Sequence, residues 1–441
     1  MTPTRASNTA KREAVGPSRR EFLKRSNAAV VGGSLATLAI SRSAHAAGSD
    51  IVRLGLVGCG GRGRGAAVQA LRAEQNARLV AVADAFEDQL DSALQAIGRN
   101  DDVGKRVEVD ADHRFPGFDG FQNVIDSDVD VVLLATPPHF RPQHLRACIE
   151  AGKHVFAEKP VAVDAPGVRS VLETTALAQQ KGLYILSGLN GRYSFKKQEA
   201  VRRVHQGAIG DIITLHSVRY AGGVWVRPRE PNMTDMEYQM RNWYYFTWLS
   251  GDFNVEQFVH QLDACAWVMR DQYPVRCYAT GGRQARTGDE YGHIYDHFSS
   301  VFEYDGGVRL FSTTRHQPNC SNESETYAFG SEGTLNLSSS RPRIEGKNPW
   351  QPSREQEADS HQLEHDAFFA ALRDGRVINN GDYMAKSTMM AIMTRMSAYT
   401  GQTLTWEEAI NSQEKLAPEA YTWDAKPPAA KVAVPGVTEF I

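Results

Sequence analysis

Gly58, Gly60 and Gly63 follow a run of apolar residues and open a helical pattern, and no other feature of the chain narrows its fold as much. Glycines at this spacing permit a tight turn, close approach of backbone to a ligand, and close packing of helix on strand. A helix N-terminus also carries partial positive charge, so such a turn suits a phosphate. Asp84 closes the next apolar run 21 residues after Gly63, where a carboxylate can reach ribose hydroxyls. The loop 58–63, including Gly61 and Arg62, is therefore expected to hold the pyrophosphate of a dinucleotide, and Asp84 its adenosine ribose. A carboxylate repels a 2′-phosphate, which favours NAD. Arg62 and Arg64 offset part of that repulsion and leave NADP open.

The pattern around this loop alternates strand and helix. Apolar strands are expected at residues 51–58, 78–84, 129–136, 154–158 and 184–188, with helices at 63–75, 86–97, 144–151 and 168–180. Interleaving of this kind predicts a doubly wound parallel sheet, a Rossmann domain over 50–188. Beyond Lys196 the pattern changes to long alternating strands at 212–220, 275–281, 297–304, 308–315, 325–330 and 333–337. A helix is expected at 254–268, a polar loop at 338–358, and amphipathic helices at 364–373 and 383–399. This predicts a C-terminal α+β domain over 189–410, built on an open, mostly antiparallel sheet, and a Pro/Ala-rich tail over 411–441.

Ahead of both domains, Arg19 and Arg20 precede a short apolar run and the small-residue sequence Ala44-His45-Ala46. Together they describe a removable twin-arginine export signal over 1–46, cleaved near Ala46, whose apolar run is too short to span a bilayer. Periplasmic localisation, the twin-arginine export machinery as a partner, and no membrane span in the mature protein are expected. That route is understood to carry folded proteins. An enzyme sent to a compartment without free nicotinamide should therefore leave with its cofactor tightly bound. Removing the signal takes eight basic and two acidic residues from totals of 49 and 52, leaving a net charge near −9 and no footprint for nucleic acid. The five cysteines show no paired or metal-type spacing and are read as structural thiols.

Glu158-Lys159-Pro160 ends a strand at the crevice edge, where a lysine can reach both a nicotinamide ribose and a substrate hydroxyl; the alternative is an ion pair with Glu158. With the glycine loop, the run Ala135-Thr136-Pro137-Pro138-His139, and His260-x-x-Asp263 on a later helix, this motif resembles the glucose-fructose oxidoreductase, inositol dehydrogenase and rhizopine-catabolism oxidoreductases (the Gfo/Idh/MocA family) over about residues 50–410. The resemblance implies cofactor contacts at Thr136, Pro137, His139, Glu158 and Lys159. It also implies a catalytic trio of Lys159, Glu256 and His260, and pairing of subunits through the C-terminal sheet. Glu256 departs from the family's usual aspartate. Positions four apart share a helix face, so Glu256 can orient His260 and stabilise its cation while His260 takes a hydroxyl proton and Lys159 polarises the same oxygen.

Arg192 and Tyr193 match a family stretch near the substrate, and Asp263 lies in the same register; an interdomain ion pair is the alternative for Arg192. Trp243, in a segment with Trp225, Tyr244, Tyr245 and Trp248, offers either sugar stacking or core and oligomer contacts. His293 and His297 share a strand face but lack further ligands, so no metal is expected. The expected activity is oxidation and reduction of a sugar or polyol hydroxyl. The alternatives are an NAD-dependent redox glycoside hydrolase, whose known members commonly lack the lysine kept here as Lys159, and a non-catalytic carbohydrate-binding relic.

Overall fold

Strands β1 (Val52–Val57), β2 (Ala77–Asp84), β3 (Arg114–Pro116), β4 (Val131–Leu134), β5 (His154–Ala157) and β6 (Ile185–Ser187) form a parallel sheet in the order β3-β2-β1-β4-β5-β6. The computed structural model that shows this describes Thr2, residues 51–337 and residues 341–441. The export signal, with Arg19, Arg20 and Ala46, lies outside the described residues. Continuous apolar runs make this sheet because helices cover both of its faces: Val131, Val132, Leu133 and Leu134 are all fully buried. Strand order reverses between β1 and β4, so the loops leaving those two strands diverge and open a crevice. The helix after β1 spans Gly61–Ala73 and so begins inside the glycine loop, two residues before the expected start. β3 and the helix Gly120–Asp126 were not expected, being too short for periodicity to register.

The second sheet contains β7 (Ile212–Ala221), β8 (Arg276–Gly282), β9 (His297–Glu303), β10 (Arg309–His316), β11 (Glu323–Gly330), β12 (Gly333–Asn336), β13 (Arg343–Gly346) and β14 (Leu404–Thr405). Their order is β13-β12-β11-β7-β10-β9-β8-β14, antiparallel except where β7 pairs with β10. β13 occupies part of the expected polar loop. Helices Phe253–Val268 and Gly381–Thr400 lie on one face, against Leu215, Cys277, Phe302 and Leu310. The opposite face exposes Tyr278, Phe311 and Phe329.

The helix Ser360–Asp374 follows the second sheet in sequence yet completes the first. Its Phe368, Phe369 and Leu372 share a core with Leu54, Leu56 and Leu79. The chain then runs along β6, with Ile185 N–H donating to Ile378 O at 2.9 Å and Asn380 N–H to Ile185 O at 2.8 Å. Amphipathicity shows that a helix is covered on one face but not which layer covers it. The tail also crosses the structure in an ordered path: Arg395 pairs with Glu414 at 2.6 Å, Leu416 N–H donates to Asp164 at 2.9 Å, and Tyr295 donates to Ala433 O at 3.0 Å. Cys59, Cys148, Cys265 and Cys277 are buried free thiols, and Cys320 is an exposed one. No helix among the described residues is long and apolar enough to cross a membrane.

Phe368→Ala is expected to destabilise the protein by about 3–5 kcal/mol, the cost of emptying a fully buried aromatic site. Denaturant unfolding checks this, and a loss below about 0.5 kcal/mol would remove the C-terminal helix from the core of the first sheet.

Candidate active site

The crevice at the strand reversal is built by two loops in contact. Gly58 has φ +97°, and a Cβ there would lie 2.5 Å from Ala135 C and Thr136 N in the loop after β4. A Cβ on Gly63 would lie 1.8 Å from Gly58 O. Gly60, by contrast, has nothing within 4 Å, and the helix it opens has no side-chain cap. First-turn amides of that helix therefore remain available to an anion. A cavity of about 490 Å³ runs beside them, lined by Gly58, Gly60, Gly61, Asp84, Thr136 and Pro137. Thr136 Oγ1 is buried there without a partner. Open glycines, an uncapped helix start and an orphaned hydroxyl fit a phosphate-bearing cofactor.

Asp84 is more engaged than its position in the sequence suggests. Its carboxylate accepts from Cys59 N–H at 2.7 Å and Phe86 N–H at 3.0 Å, so it first braces the glycine loop. Burial raises its pKa, and those two N–H groups oppose the rise. Each oxygen keeps a second lone pair, which is compatible with a ribose contact. Arg62 lines the cavity, but its donors are directed elsewhere: Glu158 at 2.5 Å, Gln69 at 2.7 Å and Glu364 at 3.3 Å. Burial pushes Glu158 up, yet Arg62, Lys159 and Arg141 overcome this and keep it ionised. Glu158 thus anchors Arg62. His139 makes a 2.8 Å hydrogen bond with the Tyr421 hydroxyl and lies edge-on to Trp248. Burial lowers its pKa to about 4 and keeps it neutral.

Lys159 leaves the end of β5 and reaches the helix Phe253–Val268, where its ammonium donates to Glu256 Oε1 at 2.8 Å and to Glu256 O at 2.7 Å. It pairs with Glu256, not with Glu158. This corrects the role expected of Glu256, whose carboxylate is held by Lys159 and by Gln257 Nε2 at 2.7 Å instead of orienting His260. His260 follows one helical turn later, and among the described residues no hydrogen bond holds its ring. Burial, then the charges of Lys159, Arg219, His361 and Lys197, hold its pKa well below the usual histidine value. The site therefore combines a fixed ammonium with a neutral imidazole whose nitrogens are free.

The other expected substrate contacts lie elsewhere. Arg192 donates to Asp263 at 2.8 Å and Asp271 at 2.6 Å and stacks over Tyr383 at 3.9 Å, the arrangement of the ion-pair alternative. Asp263 also accepts from Ser387 at 2.9 Å, and Tyr193 donates to Asn380 at 2.7 Å. These three residues latch the segment after β6 to the C-terminal helices, because a buried carboxylate takes the donors that a substrate would need. Trp243 and Trp225 line the dinucleotide cavity, whereas Tyr244, Tyr245 and Trp248 are buried core. His293 bonds Thr247 at 2.7 Å and His297 bonds Asp296 at 2.8 Å; no metal-type cluster occurs among the described residues. Sequence reasoning missed Gln257 and Arg219, which carry no motif. It also missed Tyr421 and Trp423, whose aromatic character inside a Pro/Ala-rich tail was the available signal.

Lys159→Ala and His260→Ala are each expected to lower turnover by about 10²-fold or more with cofactor content unchanged, as acid–base groups typically do. A base with a depressed pKa stays neutral, and active, until pH falls through that pKa. The acid limb of turnover is accordingly expected on the acid side of about 6.5, checked by a pH–rate profile. Gly63→Ala should instead abolish cofactor binding, read by titration calorimetry, since the added methyl displaces the Gly58 carbonyl.

The family model described as oxidoreductase family, NAD-binding Rossmann fold, matches residues 52–188, and that for the GFO/IDH/MocA C-terminal domain matches residues 198–336. The chain is similar to inositol 2-dehydrogenase of Rhizobium meliloti (strain 1021), 24% identical over 291 residues that cover 66% of this chain and 77% of that protein. It is also similar to a glycosyl hydrolase family 109 protein of Shewanella baltica (strain OS185), 27% identical over 225 residues, which are 46% of this chain and 47% of that protein. Among solved structures, a levoglucosan dehydrogenase in complex with NADH and levoglucosan matches with a TM-score of 0.64 at 16% identity, covering 81% of this chain and 99% of that one. An aldose-aldose oxidoreductase from Caulobacter crescentus, complexed with glycerol, matches with a TM-score of 0.62 at 18% identity, covering 80% and 99%. These two structural matches establish the fold. The two family models lie in tandem over more than half the sequence, and the chain belongs to the GFO/IDH/MocA family of NAD-binding oxidoreductases.

Proposed function

We propose that this protein is an exported enzyme that oxidises or reduces a sugar or polyol hydroxyl against a nicotinamide cofactor that it does not release. The observation that carries the reading is the Lys159 ammonium fixed beside a neutral, unbonded His260. Two of the three ammonium donors go to Glu256, which leaves one for a substrate oxygen. His260 takes the hydroxyl proton as the carbon loses its hydrogen, and Lys159 steadies the negative charge that develops on oxygen. A bound nicotinamide supplies the two-electron acceptor. Gly58, Gly60, Gly61 and Gly63 would cradle its pyrophosphate, and Asp84 favours NAD over NADP. Similarity to inositol and levoglucosan dehydrogenases supports a polyhydroxylated substrate.

Retention of the cofactor is supported by packing of the C-terminal tail on side chains that line the cavity. Trp423 packs on Phe86 and Phe118 with ring centroids 5.0 and 4.6 Å apart, and Tyr421 caps His139. Phe86 and Phe118 themselves line the cavity. The paired arginines of the signal support transport of the folded, loaded protein by the twin-arginine route into the periplasm. The exposed Tyr278, Phe311 and Phe329 support pairing of subunits through the second sheet.

A second reading, a redox glycosidase, is favoured by the likeness to the Shewanella baltica protein. Donor and acceptor experiments separate the two. With a sugar or polyol donor alone, the oxidoreductase is expected to develop the lasting near-ultraviolet band of a reduced nicotinamide, which an aldose or keto-sugar discharges. Steady aglycone release from a nitrophenyl glycoside without any acceptor would establish the glycosidase instead. The double change Tyr421→Ala, Trp423→Ala is expected to speed cofactor loss on dialysis about tenfold, equivalent to about 1.4 kcal/mol of packing.

A further inference from the structure

Glu256 has a choice of partners: Lys159 from the end of β5, or His260 one turn along its own helix. A glutamate has one more rotatable bond than the family's usual aspartate, so this choice needs a clamp. The structure provides one. Glu256 Oε2 accepts from Gln257 Nε2 at 2.7 Å, and Gln257 Oε1 accepts from Arg219 Nη2, on β7, at 3.3 Å. Arg219 Nη1 donates to Ser324 Oγ, on β11, at 3.2 Å, and Gln261 Nε2 donates to the same oxygen at 3.1 Å. The chain of contacts thus runs from the second sheet to the lysine at the end of β5, and the Arg219 guanidinium polarises the one amide, Gln257, that links it to Glu256.

We propose that Gln257 and Arg219 are positioning residues that hold the Glu256 carboxylate on Lys159 and away from His260. Neither residue touches substrate in this scheme. The clamp serves both members of the pair at once: Lys159 keeps a fixed counter-ion, and His260 is denied a carboxylate that would favour its cation. The charged and titratable groups around His260 are Lys159, Arg219 on β7, Lys197 on the helix Phe195–His205, and His361 on the helix Ser360–Asp374, with Glu256 and Asp263 on its own helix. Its own helix carries two carboxylates one turn away, Glu256 before it and Asp263 after it; Asp263 is committed to Arg192 and Ser387, so release of Glu256 is what shifts the ring toward its protonated form.

The inference rests on the functional reading of Lys159 and His260, and its test needs no substrate. Histidine-labelled holoenzyme is titrated by NMR, with the His260 resonance assigned by its loss in His260→Ala. Gln257→Leu is expected to raise the His260 pKa by about one unit or more, the effect of a carboxylate coming within reach. Arg219→Lys, which keeps the positive charge that itself lowers the His260 pKa but withdraws the guanidinium from Gln257, should shift it in the same direction by less and serves if Gln257→Leu does not fold. An unchanged His260 titration in a folded variant overturns the clamp, whatever the turnover. Near-native turnover of Lys159→Ala and His260→Ala would instead defeat the functional reading, and the clamp's catalytic meaning with it.

Discussion

The Lys159–Glu256 ion pair is the contact on which the site depends, because it joins the end of a parallel strand to a helix that lies on a different sheet. Both side chains are largely removed from water, with side-chain exposures of 14% and 11%. Taking two charges out of water costs several kcal/mol per ion unless further hydrogen bonds satisfy them. Here the backbone carbonyl of Glu256 and the amide of Gln257 supply those bonds. Geometry around Lys159 is consequently set by polar contacts in several directions, and a neutral histidine is left as the group with capacity to spare.

Around that pair, charges mostly cancel in small closed groups. Arg62 is shared between Glu158 and Glu364, Arg192 between Asp263 and Asp271, and Arg241 lies on Phe86 while pairing with Asp88. Each group ties a segment of the parallel sheet, or of its flanking loops, to a segment from the later half of the chain. Such contacts align the two halves at the edge of the cavity, which Arg62, Phe86, Asp88 and Arg241 line, and they explain why residues that look like ligand contacts in a linear motif are committed to protein partners.

The parallel sheet could be read from sequence because strands buried on both faces leave unbroken apolar runs, and the glycine loop because only glycine fits at Gly58 and Gly63. Lys159 stood out by its strand-end position, while Glu256 and His260 were picked out by the family resemblance, with helical spacing placing them on one face. What each pairs with was not legible. The spacing of Glu256 and His260 permits their contact, but a lysine brought in from 97 positions away takes the carboxylate. The same limit applies to Arg192, whose donors meet Asp263 and Asp271, and to the helix Ser360–Asp374, whose apolar face is evident while its destination on the first sheet is not. Such facts belong to tertiary structure, and local periodicity holds no record of them.

The position of Tyr421 and Trp423 along the chain carries a temporal consequence. A ribosome delivers the glycine loop and the whole parallel sheet long before it delivers the segment that packs on Phe86, Phe118 and His139. During that interval Trp225, Arg241 and Trp243, which line the cavity, and then the helix Ser360–Asp374, which completes the core of the first sheet, arrive ahead of the tail. The tail then packs on Phe86 and Phe118, two of the side chains that line the cavity. Synthesis order thus places every residue that lines the cavity, from Val57 to Trp243, ahead of the segment that packs behind them.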